Sequence, residues 1–564
     1  MKNYFFATLL ALCCNVFSFA QLTGFAYLSG QSNHANIKVK FIAVSPAAIT
    51  DSAFTATNGS YSINITGGVY QVIFSKTNYQ NIYYNNTTAL ALTNTLVLNT
   101  QTLNPGNFYT VSGAASGTWS SNSTYFVTGN LTVPQGSTLS IQPGVIVKFN
   151  GNYSLTVAGV LSAIGDASNK ILFTSAQNTP QASNWYGICP SNKSVIKNCV
   201  IEYAFAGLSG AAGSHTIENC EFRNSVFGVS LVNNSNSVLR NNLIWNLQDS
   251  YFSCGIIIEG QSSALVECNT LHTISGAGVR AWSSVNIKNN LIYNITKPSG
   301  SSYGWGIWSD YYASGRIENN YVHHCIIGVS VGDYPNMPTN PIHPTIVNNV
   351  LTNNTNGIQY TAEAYGEIAN NIIANNQIGI KDAYWANSSS VLNNIFFNNS
   401  SGNFSNVSVP GIGVITGTNA SGLAIDSYFN LFQDPLLLSG SPFYATNSPC
   451  INSGKTLYSS NIGMNANALC QGMVMGIKSL TNSGSNILAF PNPFKEQLVI
   501  KNVNANEISD LTIFDLSGRA ILFDYNTAAS GELSLDLKNL PSGFYFLSIS
   551  YTNTSNAYLR LLKE

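Results

Sequence analysis

The chain has 564 residues, 45% hydrophobic and only 8% charged, with a formal net charge of −1. Ordinary soluble proteins carry about 25% charged residues, so polarity here rests mainly on Asn, Ser, Thr and Tyr. The length admits several domains. The near-neutral balance excludes the basic patch of a nucleic-acid binder, and 11% aromatic residues exclude a disordered chain.

The N-terminus reads MKNYFFATLLALCCNVFSFAQ. Lys2 precedes an apolar run, and Ser18-Phe19-Ala20 forms a small-x-small cleavage site before Gln21, which predicts a secretory signal peptide over 1–20. The run is short for a membrane span and no second one follows, so no transmembrane segment is expected after its removal. Leu12, not a small residue, stands before Cys13, which argues against a lipoprotein. Export permits disulfides. Cys450 and Cys470 are the candidate pair, while several other cysteines fall at repeat positions and read as small buried side chains.

Residues 21–104 read as a small β-sandwich. TATNGSYSINITGGVYQVIFSKTNYQN sets alternating strands around Asn-Gly and Gly-Gly turns, which are hairpin signals. Gly59-Ser60-Tyr61 and Gly68-Val69-Tyr70 resemble the carboxypeptidase regulatory-like domain. The resemblance implies an accessory module rather than a peptidase, and His34 stands alone, without a zinc-ligand cluster.

A repeat fills the region 105–471. A doubled Asn or Cys recurs with its first member at Asn198, Asn219, Asn241, Cys268, Asn289, Asn319, Asn348, Asn370 and Asn393. The residues two before and three after are always apolar. In the first eight units a Gly followed by an apolar residue comes after, usually at the ninth place: Gly207, Gly228, Gly255, Gly278, Gly306, Gly328, Gly357 and Gly379. A period near 22 residues means a solenoid. Short β-branched runs make its elements strands, so each unit is one coil of a parallel β-helix, about 4.8 Å above the last. Asn tolerates a left-handed backbone and bonds locally. Stacked Asn side chains also form ladders, so the pair marks a corner. Residues 108–175, with LTVPQGSTLSIQPGVIVKF, resemble the opening coils of secreted right-handed β-helix proteins. Asn430–Gly454 resembles their exit segment.

Alternation along the Gly-led strand predicts outward side chains at Ile257 and Glu259, Arg280 and Trp282, Trp308 and Asp310, then Ser330, Gln359 and Lys381. Such a concentration of charge and indole in a charge-poor chain predicts a groove. Insertions at Asn246–Cys254, Lys297–Gly304 and Asp333–Pro344 would wall it, with Asp333 and Tyr334 as lining. Indole faces suit sugar rings, and Arg or carboxylates suit hydroxyls or uronates. The partner expected is a polysaccharide or cell-surface glycan. Glu259, Arg280 and Asp310 are the candidate catalytic groups of a polysaccharide lyase or glycosidase, with Asp310 and Glu259 as candidate ligands of a Ca²⁺ ion. The alternative is a non-catalytic adhesin or surface-structural protein. No Asp-Asp pair and no Gly-His-Gly of the polygalacturonase kind occurs, nor does the Arg-x-Pro-x-x-Arg of pectate lyases. His323-His324-Cys325 invites a metal reading, but successive strand residues alternate sides, which favours a structural role.

Residues 472–486 read as a linker. Residues 487–564 contain Pro491-Asn492-Pro493-Phe494, Asp515-Leu516-Ser517-Gly518-Arg519 and Leu540-Pro541-Ser542-Gly543-Phe544-Tyr545. These resemble the type IX secretion system (type A) sorting domain. The resemblance implies the type IX machinery as partner, export across the outer membrane of a Bacteroidetes-type bacterium, and release or surface attachment. The expected class is all-β: a right-handed parallel β-helix (solenoid) flanked by two small β-sandwich domains.

Overall fold

The computed structural model describes residues 19–464 except 46–49, 67, 85–89, 93–95, 250–251, 299–303, 311–312, 333–341, 361–365, 383–389 and 439–440. Of the C-terminal region it describes 488–490, 494–501, 508–515, 520–521, 524–527, 532–538, 540, 543–551 and 557–563. The signal peptide expected at 1–20 therefore falls almost wholly outside the described residues, as does Cys470. The chain divides into two compact units, residues 1–107 and 108–564. Among the described residues no helix is long and apolar enough to cross a membrane.

The first unit is a two-sheet sandwich. Phe19–Leu28 pairs antiparallel with Ser60–Thr66 and parallel with Leu96–Leu103. Lys38–Ser45 lies between Asp51–Phe54 and Gly68–Ser75 in the other sheet. Leu22, Phe41, Tyr61, Tyr70 and Phe74 fill the space between them. Gly59 turns at φ +83°, where a side chain would be strained.

The coils of the second unit follow one plan, shown by the coil that starts at Asn286. Asn286–Lys288 lies on the first face, Leu291–Thr296 on the second and Trp305–Ser309 on the third. The first face is a twelve-stranded parallel sheet from Gly117–Trp119 to Ser390–Leu392. The other two faces are joined where long strands such as Thr270–Ala281 run across both. This is a right-handed parallel β-helix. Its apolar interior runs from Val127 through Leu161, Ile217, Ile256, Ile307 and Ile358 to Phe396.

The Asn pair divides its work. All nine first members have positive φ, between 49° and 61°. The second members point inward and form a ladder from Asn242 through Asn269, Asn290, Asn320, Asn349, Asn371 and Asn394 to Asn430. Each main-chain N–H donates to the next Oδ1 at 2.9–3.0 Å, and each Nδ2 donates to the same oxygen at 2.9–3.2 Å. The expected exit segment thus supplies the last rung. A second left-handed corner lies five residues after the first in every coil: Tyr203, Asn224, Asn246, Thr273, Asn294, His324, Asn353, Asn375 and Asn398. Here Asn354, Asn376 and Asn399 make a shorter ladder.

The repeat glycines are fixed by close approach. A Cβ on Gly278 would stand 2.6 Å from the Gly306 carbonyl oxygen, and one on Gly306 would stand 2.6 Å from that of Gly328. Beyond the last coil the chain turns back over the outside of the second face. Ile425, Leu431, Cys450, Ile462 and Met464 cover Leu291, Tyr321, Val350, Ile372 and Ile395. Cys450 is a free thiol in this apolar layer, which corrects its expected pairing with Cys470. Cys199, Cys220, Cys254 and Cys325 are free and buried as expected, but Cys268 is disulfide-bonded.

The described residues 488–563 form two four-stranded antiparallel sheets. Phe494, Leu498, Ile513, Leu535, Leu547 and Leu561 form their common core.

Candidate functional site

The third face builds its outward column as the alternation requires. Ile256, Val279, Ile307, Val329 and Ile358, each next to a repeat glycine, are buried in the core. The following residues stack in register: Ile257 on Arg280, Arg280 on Trp308, Trp308 on Ser330, Ser330 on Gln359 and Gln359 on Lys381. Just past the strand ends a second column forms. Trp282 N–H donates to Ile258 O, and Asp310 N–H donates to Ala281 O, each at 2.8 Å. Glu259, Arg280, Trp282, Trp308 and Asp310 are therefore brought together.

Arg280 is the centre of this group. Its guanidinium carbon lies 4.3 Å from the Trp282 ring centroid and 4.1 Å from that of Trp308. Nη2 and Nε donate to Asp310 Oδ2 at 2.9 and 3.3 Å. Two cation–π contacts, each about 0.5–2 kcal/mol, and one ion pair hold the group as a fixed cationic donor. Arg280 keeps 19% of its side-chain surface exposed, while Asp310 keeps none. Trp308 is buried, stacks on Trp305 at 4.2 Å and donates Nε1–H to Gly332 O. Glu259 and Trp282 are half-exposed beside the Arg280 edge. Burial pushes the Glu259 carboxyl above its usual range, and Arg280 partly opposes this.

Several expectations change. Asp310 and Trp308 point away from the core, yet neither is a solvent-facing group. Ile257, Ser330 and Gln359 are likewise outward but buried. Of the two carboxyls, Asp310 is fully buried and paired with Arg280, and Glu259 alone reaches the surface. The same ion pair opposes Ca²⁺ between them, since the guanidinium lies on the intervening coil. Among the described residues no three His, Cys, Asp or Glu side chains converge as metal ligands would. Asp333 and Tyr334 lie outside the described residues.

Two features escaped the sequence reading. A cavity of about 640 Å³ opens at the second corner, lined by Gln248, Asp249, Thr273, Ser275, Asn294 and Thr296. Its signal was present as polar residues five and seven places after the Asn pair in successive coils. The second face carries its own outward column, Glu202, Arg223, Trp245, His272, Tyr293 and His323. Arg223 is buried and bonds Glu202 Oε2 at 2.8 Å and Glu221 Oε1 at 2.7 Å. Above it, rings stack from Trp245 to His272 at 5.8 Å, to Tyr293 at 4.8 Å and to His323 at 5.0 Å.

The His323-His324-Cys325 expectation is half right. Cys325 points into the core. His324, at φ +54°, occupies the second corner, and this breaks the strand alternation. His323 Nδ1 and His324 Nδ1 come within 2.7 Å of each other.

Comparisons with known proteins agree with this architecture. The family model described as "Right handed beta helix region" matches residues 164–305 and 247–396. One described as "Pectate-lyase like beta helix domain" matches 111–212. The "Secretion system C-terminal sorting domain" matches 488–562. The chain is thus exported by type IX secretion to the cell surface or extracellular space. No curated protein matches it. Among solved structures, a mutant tailspike protein of E. coli bacteriophage HK620 in complex with a pentasaccharide is similar at 12% identity and a TM-score of 0.27, covering 77% of this chain and 86% of that one. The same protein with a hexasaccharide gives 11% identity and a TM-score of 0.29, over 77% and 85%. Likeness at this level decides nothing about function.

Proposed function

We propose that this exported protein binds an acidic polysaccharide on the third face of its β-helix. Arg280, Trp282 and Glu259 form the contact edge, and Trp308 and Asp310 position Arg280. The carrying observation is the setting of Arg280. A guanidinium fixed by two indoles and a buried carboxylate, with one edge at the surface, is pre-organised for a carboxylate or sulfate on a sugar. The half-exposed indole of Trp282 adds a face for sugar C–H groups. Asp333 and Tyr334 are proposed as wall residues, and residues 21–104 as a carboxypeptidase regulatory-like accessory module.

Cleavage is the second reading. The pectate-lyase-like description of residues 111–212 favours it, although those residues do not include the Arg280 group. The two readings separate on a panel of neutral and acidic polysaccharides. Retention of the exported chain, new reducing ends and unsaturated-uronate absorbance are followed together. Retention on acidic polymers that weakens at least tenfold in Trp282→Ala and Arg280→Lys, with no cut products, is expected. Cut products that vanish in Glu259→Gln would establish the enzyme reading instead. Retention unchanged in all three variants would refute this site.

A further inference from the structure

The second face carries a pair of histidines that the polysaccharide reading does not use. We propose that His323 and His324 form a binding site for a tetragonal divalent transition-metal ion, Cu²⁺ above all. The argument begins with the backbone. At this second corner six other coils place Asn: Asn224, Asn246, Asn294, Asn353, Asn375 and Asn398. His324 takes the same left-handed conformation, which turns its ring back to the side on which His323 stands. The His323 ring is already held in place. Tyr293 stacks on it at 5.0 Å with planes 8° apart, and Tyr321 lies 4.4 Å away. His324 is exposed, so an ion can reach the pair from solvent.

The geometry selects the ion. The two Nδ1 atoms are 2.7 Å apart. With metal–nitrogen bonds of about 2.05 Å they subtend about 80° at a common ion. That lies near the right angle between neighbouring ligands of a square or tetragonal ion and well below the tetrahedral value. Imidazole nitrogens in such an arrangement suit Cu²⁺ or Ni²⁺ better than Zn²⁺, and Cu²⁺ binds most tightly of the divalent series. No third His, Cys, Asp or Glu joins the pair among the described residues, so water or main-chain groups would complete the shell.

The test uses the full exported chain and CuCl₂, with equilibrium dialysis and electron paramagnetic resonance. His324→Asn restores the residue that six other coils use at this corner. His323→Phe keeps the ring stacked on Tyr293 and removes its nitrogens. Unchanged thermal melting of the metal-free variants checks the fold. The expected result is one Cu²⁺ with a two-nitrogen hyperfine pattern, bound at least tenfold more weakly by either variant. No bound Cu²⁺, or binding and spectrum unchanged in both variants, would overturn the proposal. The 2.7 Å contact would then be an N–H···N hydrogen bond only.

Discussion

Arg223 and Arg280 occupy the outside of the same solenoid, on its second and third faces, and have nearly the same partners. Each bonds a carboxylate from a neighbouring coil, and each lies near an indole. Their settings differ in what remains. Arg223 bonds two carboxylates, Glu202 and Glu221, and keeps 3% of its side-chain surface. Trp245 lies 6.0 Å away and itself donates to Glu221. Arg280 has one carboxylate, two indoles at close range and an open edge. A buried arginine with two carboxylates closes its own network, and its role is to hold coils together. An arginine that bonds one buried carboxylate and keeps an exposed edge, with only the unbonded Glu259 beside it, is left with binding capacity on the proposed reading. On the proposed reading, the difference between a structural and a recognition arginine lies in the count of anions bonded to it and in its exposed edge, not in the residue.

The largest effect that tests this contrast is on stability. Arg223→Ala leaves buried Glu202 without its bonded cation and Glu221 with Lys170 alone, at 3.6 Å, and breaking such a network costs about 3–5 kcal/mol. Arg280→Ala uncovers one buried carboxylate, Asp310, and a smaller loss is expected. Denaturant midpoints of the two variants, measured side by side, give the order. Equal losses would break the comparison and make Arg280 a structural residue as well.

Much of this arrangement was written in the chain. The Asn pair announced the first corner because its two needs, a left-handed backbone and a stackable amide, are met by one residue type. The second corner was hidden because several residue types fill it: Tyr203, Thr273 and His324 stand where Asn stands elsewhere. Alternation placed Arg280 against Trp308 correctly, because sheet register is a local rule. It could not report that Trp308 and Asp310 are covered, since burial of an outward residue depends on segments distant in sequence. Cys450 shows the same limit. Its thiol lies with Leu431, Ile462 and Met464 over a layer formed by Leu291, Tyr321, Val350, Ile372 and Ile395, residues well before it in the chain.

The next effect is on binding. Arg280→Lys keeps the charge but loses the planar fork and its stacking on two indoles. Retention on an acidic polymer is expected to fall about tenfold, while stability falls by about 1–2 kcal/mol. Arg223→Lys should leave retention unchanged. Loss of retention in both variants at equal stability would mean that the second face also touches the polymer.

The smallest effect is on pH dependence, where the two faces run in opposite directions. On the second face, burial alone would raise the Glu221 carboxyl, but Arg223 and Lys170 hold it below its usual value of 4.5. Its contribution is therefore complete above that value and is lost as pH falls through the lower folded one. Burial likewise pushes His272 down to about 4, so stability declines as pH falls from 6.5 toward 4. On the third face, burial raises Glu259, and Arg280 only partly opposes it. Its neutral form is favoured in the fold, so that contribution is present below 4.5 and is lost as pH rises through the folded value. A Glu259 that takes up a proton also stops competing with an acidic polymer for Arg280. Retention should therefore strengthen as pH falls through the raised Glu259 value, as long as the polymer stays ionised. Glu259→Gln should bind at neutral pH as the parent does in acid, with a flat profile across that window. A parent profile as flat as that of Glu259→Gln would place Glu259 outside the contact edge and leave Arg280 and Trp282 as its only members.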